Sequence, residues 1–239
     1  MINTVRVRGI DLAYEDVGPT DDDAPDAAPL VWGHGLSRSV AEDDQFPMID
    51  WQRIRRTRRV VRFDARGHGE SGPLASPVDG AWDRLALDEV GLIEALSLPE
   101  VVLGGASMGT ATALHAALNL GDRVRGLVLT IPPTVWNTRS DQARLYEAMA
   151  QIVDEGGVEP LIEASAAVPR PDPFAEIDDC NQLRAASLRR ADPKRLAAVF
   201  RGAAHADLPG PDAVATMRMA DGTSQRIGGI RARNAGQLQ

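Results

Sequence analysis

The stretch Leu103–His115, LGGASMGTATALH, sets a serine inside a G-x-S-x-G pattern, after an apolar run and before an alanine- and leucine-rich helical pattern. In a strand–turn–helix context that pattern puts the serine on a tight, strained turn, and its hydroxyl projects at the carboxyl end of a sheet. Gly105 and Gly109 leave room for strand and helix to approach each other. The chemistry such a serine can do is acyl transfer: Ser107 attacks a carbonyl while the free N–H groups of the helix start, Met108 first, face the developing oxyanion. The alternative is an ordinary strand–helix turn with a capping serine. A second oxyanion donor is available in VWGHGL (31–36), where a buried strand ends at Gly33-His34-Gly35 and the next N–H is that of Leu36. His34, at the strand end, suits shaping this loop better than proton transfer.

A serine nucleophile needs a base, and the sequence has four histidines. His34 and His68 precede the serine, in loops. His115 lies eight residues into the helix, about 12 Å along its axis from Ser107, and reads as packed against the sheet. His205, in RGAAHADLPG, is the one histidine downstream of that helix and is the candidate substitute base. No triad acid stands out. Asp207 closes the helical region, and Asp221 in MADGTSQ follows no strand. The glycine-rich RFDARGHGESG (62–72) lacks the G-K-[ST] ending of a phosphate loop and does not open a helix, which disfavours nucleotide binding. Cys180, in IDDCNQ, carries no cysteine-nucleophile signature.

Positioning these groups requires a sheet. Residues 4–17 alternate apolar and polar around Arg8–Gly9 and predict a hairpin. Short apolar runs at 29–35, 58–69, 100–107 and 124–133 stop at glycine or aspartate and suit strands buried on both faces. Helical patterns at 82–98 (Leu85, Val90, Leu92, Ile93 and Leu96 on one face) and 107–121 (ending at Gly121) separate them. Alternating strand and helix predicts an α/β fold with a doubly wound, mostly parallel sheet. Residues 137–208 hold amphipathic pieces and no convincing strand, with Ser140 or Asp141 as candidate cap of the first helix. We expect a core over 1–136, a helical cap insert over 137–209 and an atypical tail over 210–239.

Composition narrows the partners. A net charge of −8 argues against nucleic acid. From Met217 onward there are four arginines and one aspartate, so the remainder carries −11. Lys194 is the sole lysine. No run of 18 apolar residues predicts a membrane span, and no signal peptide is read, so a cytoplasmic protein is expected.

GHGL, FDARGHGESG and GGASMGTATALHAA, in this order and spacing, together resemble the α/β-hydrolase fold superfamily, in particular its esterase and lactonase-like members. The resemblance covers residues 4–133, and 137–208 is similar to the family's cap. It implies Ser107 as nucleophile, Leu36 and Met108 as backbone oxyanion donors, and Asp64 and Arg66 as structural loop residues. It implies hydrolysis of a carboxylic ester, lactone or thioester of a small molecule, without metal or organic cofactor. It also implies a later strand–acid and a final histidine, some 40–50 residues from mean element lengths. Only 20 residues follow Met219, polar and basic. The expectation is a truncated or frame-shifted C-terminus, with the last strands missing. The alternative function is therefore a catalytically impaired or non-catalytic homologue that binds a small ligand.

Overall fold

Arg8 and Gly9 both have positive φ, 42° and 83°. They turn the chain from β1 (Ile2–Val7) into the antiparallel β2 (Ile10–Val17), as the alternation predicts. The computed structural model describes residues 1–21, 26–45, 49–167 and 180–217. β3 (Leu30–Gly33), β4 (Val60–Phe63), β5 (Val101–Ala106) and β6 (Val124–Thr130) complete one sheet in the order β1-β2-β4-β3-β5-β6. β2 meets β4 antiparallel, and the four later strands run parallel. All four residues of β3 and of β4 are buried, as parallel strands covered on both faces require. β6 pairs only with β5 among the described residues, and its Val128 side is exposed.

Two short helices that the apolar pattern does not announce, α1 (Val40–Asp43) and α2 (Trp51–Thr57), connect β3 to β4. Trp32 and Trp51 meet edge to face at 5.3 Å in a small apolar cluster there. α3 (Trp82–Ala95) and α4 (Met108–Leu120) pack on each other and on the sheet. Leu85, Leu92 and Ile93 of α3 are buried in the main core. Gly121 caps α4 at φ 55°.

The cap region is helical as expected, through α5 (Arg139–Gly156), α6 (Val158–Ala166), α7 (Cys180–Arg190) and α8 (Pro193–Ala204), before the short α9 (Pro211–Ala215). It has its own apolar cluster around Ala150, Val153, Leu161, Leu188, Leu196 and Phe200. Lys194 is exposed in the first turn of α8. The start of α5 corrects the sequence reading: its N-cap is Thr138 and not Ser140 or Asp141, and the Thr138 hydroxyl bonds back to Val135 O and not into the helix. Arg139 occupies the first turn as a buried residue, 5% exposed, and that burial fixes where the helix begins. Ala206 and Leu208 belong to the main core, so the chain has returned to the body by then. No helix among the described residues is long and apolar enough to cross a membrane. The C-terminal expectation falls on residues 218–239, outside the described residues.

Candidate active site

The glycines draw the site together. A Cβ on Gly109 would lie 2.0 Å from the Gly33 carbonyl oxygen, and one on Gly105 would lie 2.2 Å from the Gly109 carbonyl carbon. β3, β5 and the first turn of α4 therefore touch backbone to backbone. Ser107 sits at the apex with φ 52° and ψ −108°, a conformation costly for a residue with a side chain. Its N–H donates to Thr130 O at 3.0 Å, and its carbonyl accepts from Ala111 N at 3.2 Å. Two threonines that the sequence did not single out brace the turn. The Thr110 hydroxyl reaches Gly105 O (2.8 Å) and Thr130 O (2.9 Å), and the Thr130 hydroxyl reaches Gly105 O (3.0 Å).

The second loop closes on the same point. Gly109 N donates to His34 O at 3.1 Å. A Cβ on Gly35 would stand 3.9 Å from Ser107 Cβ, so the Gly35–Leu36 loop lies beside the serine. Among the described residues, no hydrogen bond is made by the N–H of Leu36, by the N–H of Met108 or by the Ser107 hydroxyl.

Three of the histidines bond elsewhere. His34 is buried; its Nδ1–H donates to Gly35 O at 2.8 Å, and its Nε2 accepts from Ala65 N at 3.0 Å. This ring, with both nitrogens bonded, pins the β3 loop to the β4 loop. His68 packs against it at 5.0 Å and donates to Arg66 O at 3.1 Å. Burial first, then the neighbouring His34, pushes His68 down to about 3, so it is a neutral ring at any working pH. His115 corrects the sequence reading. It faces the chain leaving the cap rather than the sheet, donating from Nε2 to Asp207 O at 2.9 Å. His205 is exposed at the C-cap of α8. The structure thus brings Leu36, Ser107 and Met108 together and joins none of the four histidines to them.

Asp64 and Arg66 hold the loops. Asp64 accepts from Val40 N (2.7 Å) and Glu70 N (2.9 Å), tying the β3 and β4 loops together. Arg66 forms a two-pronged buried pair with Asp88 of α3, at 2.8 and 2.7 Å. A cavity of about 390 Å³ lies beside the site, in the seam between cap and body, lined among others by Ser37, Arg38, Glu42, His68, Ser187 and Arg195. Ser107 is not on its wall. Among the described residues, no group of three or more His, Cys, Asp or Glu is placed to hold a metal ion.

Comparison with known proteins fits this geometry. The 3-oxoadipate enol-lactonase 2 of Acinetobacter baylyi is 29% identical over 109 residues, 45% of this chain and 38% of that protein. The aligned segments span about two fifths to a half of the curated relatives' length. Among solved structures, a thermophilic esterase from Thermogutta terrifontis superposes with a TM-score of 0.68 at 23% identity, covering 86% of this chain and 72% of that one. The enol-lactonase from Burkholderia xenovorans LB400 does so with a TM-score of 0.63 at 23% identity, covering 86% and 75%. A family model described as alpha/beta hydrolase fold matches residues 33–159, just over half of the chain, from the end of β3 through the serine turn into the cap. With that match resting on the strands, loops and strained serine just described, the chain belongs to the alpha/beta hydrolase fold family.

Proposed function

We propose that the chain is a serine hydrolase of a small ester, lactone or thioester, acting through an acyl-enzyme on Ser107. The observation that carries this reading is the strained Ser107, with an unengaged hydroxyl, beside the unengaged N–H groups of Leu36 and Met108. In the reaction the Ser107 oxygen bonds to the substrate carbonyl carbon and its proton passes to a base. The carbonyl oxygen becomes an oxyanion between the two N–H groups. The carbon–oxygen or carbon–sulfur bond to the leaving group then breaks, and the leaving group takes up a proton. Water hydrolyses the acyl-serine by the same sequence. Loss of one oxyanion donor costs about 2.7–4 kcal/mol in such reactions, so the pair supplies a large share of the rate.

The base is the open position. His205 is the candidate, exposed and within reach of substitution experiments. Without a base, the oxyanion hole and binding alone leave on the order of 10³–10⁴ over the uncatalysed reaction. A second reading is favoured by one observation: all four histidines lie within the described residues, and none bonds to Ser107. On that reading the protein is a non-catalytic homologue that binds a small ligand.

Labelling with a fluorophosphonate, followed by peptide mass spectrometry, separates the two. The hydrolase reading expects one adduct, on Ser107, absent from Ser107→Ala and slowed in His205→Ala. Folded, monodisperse protein that takes no label supports the ligand-binding reading.

A further inference from the structure

Leu36 is built into both halves of the molecule. Its side chain packs against the main core and also against the apolar cluster of the cap. Six residues on, Glu42 of α1 faces the cap directly. The Ser187 hydroxyl of α7 donates to Glu42 Oε1, and Ser187 is 5% exposed. Arg190, one turn along α7, stands 3.7 Å from the same carboxylate and donates to Gln45 at 3.3 Å. The other Glu42 oxygen accepts from the Ser39 hydroxyl at 3.3 Å, and Ser39 caps α1. The body holds α1 firmly: Val40 N bonds to Asp64, Trp32 Nε1 donates to Asp43 at 3.4 Å, and Arg62 pairs with Asp44 at 2.6 Å. At the opposite end of the cap, Arg139 secures both chain crossings. It donates from Nε to Ala206 O (2.7 Å) and from Nη2 to Ala203 O, with its guanidinium 4.1 Å over the Trp82 ring.

The geometry points to Glu42 as a positioning residue. It latches cap helix α7 to the loop that carries the Leu36 N–H, so seating of the cap sets the second oxyanion donor. The cap is fixed at Arg139 and latched at Glu42, and the 390 Å³ seam cavity lies on the latch side, with Glu42 and Ser187 in its wall. An acyl-transfer site organised this way completes its oxyanion hole only when the cap is down. The inference rests on the hydrolase reading for its catalytic consequence, but not for the coupling itself.

The test uses the whole chain and two readouts. In hydrogen–deuterium exchange, Glu42→Ala and Ser187→Ala are expected to deprotect peptides covering both 36–45 and 180–190, with the global melting temperature monitored in parallel. Glu42→Gln, which keeps an acceptor for Ser187, is expected to restore protection. In fluorophosphonate labelling at Ser107, each alanine variant is expected to be about tenfold slower, a fraction of the 10²–10³ that a whole donor is worth. The double variant is expected to be no slower than either single one. Deprotection confined to 180–190, or additive effects in the double variant, would overturn the coupling. If wild type takes no label, the hydrolase reading fails, and the exchange experiment still decides the latch.

Discussion

At the serine turn the body is held by backbone against backbone. At Gly105 and Gly109 the approach is so close that a single methyl has nowhere to go, and threonine hydroxyls and the His34 ring tie the Gly105 and Thr130 carbonyls and the Ala65 N–H. Around the seam cavity the cap is held by side chains, Glu42 with Ser187 and Arg190, and Arg195 with Ser71 O, while farther along α8 a backbone contact returns, where a Cβ on Gly202 would lie 2.7 Å from Gly80 Cα. The first arrangement has one geometry and no room to adjust. The second consists of long side chains that can be exchanged singly, and it leaves a cavity where the two layers meet. On the hydrolase reading proposed above, acyl transfer asks for this division, because the nucleophile must be fixed while the cover must admit a substrate.

Substitutions can break that comparison. The largest effect is expected from Gly109→Ala. The added carbon meets Gly33 O at 2.0 Å, so α4 must shift off β3. We expect a loss of about 3 kcal/mol or more, beyond the usual range for overpacking, read as a collapse of the urea midpoint. The corresponding change at the seam, Arg139→Met, removes two charge-assisted bonds and keeps an apolar chain over Trp82. A loss of about 2 kcal/mol is expected, with exchange protection lost in α5 and α8 before the sheet.

A third change tests whether the body core tolerates a polar group better than the cap does. Glu89 of α3 is buried with both oxygens unpartnered, and burial pushes it up to about 8. The folded protein then keeps a proton that the unfolded chain releases above its ordinary value of 4.5. Stability is full below that value and is lost as the pH rises to about 8. Glu89→Gln is expected to flatten this slope and to gain about 2 kcal/mol at pH 8, measured by urea titration at pH 5 and 8. The smallest effect is expected from Arg189→Ala, on the outer face of α7. Its pair with Glu159 at 2.8 Å is more than half exposed on both sides, so the change should leave the urea midpoint where it is. A large effect there would mean that the cap depends on its surface as the body depends on its core.

The same division governs what the sequence reveals. The serine turn is legible because its constraints are local. G-x-S-x-G, the preceding apolar run and the His-Gly pair lie on short stretches whose glycines have one physical use. The hairpin at Arg8–Gly9 and the Gly121 helix end are legible for the same reason. The seam is not. Glu42 and Ser187 lie 145 residues apart, and each is a residue type that elsewhere faces water. Arg139 opens a helix, where an arginine ordinarily reads as solvated, and nothing nearby marks it as buried over a tryptophan. The direction of His115 depended on where the chain leaves the cap, which periodicity within one helix does not carry. The fully bonded ring of His34, with His68 packed against it, became visible only once β3 and β4 were side by side.

The sole lysine has a practical consequence. Lys194 stands exposed on the cap, while three of the four tryptophans, Trp32, Trp51 and Trp82, are buried in the body. Apart from the chain's first amine, an amine-reactive dye therefore has one address, on cap helix α8, next in the chain to the α7 that Glu42 latches. Energy transfer from the indoles to that dye would report the distance between cap and sheet in solution, in real time, without a residue being changed.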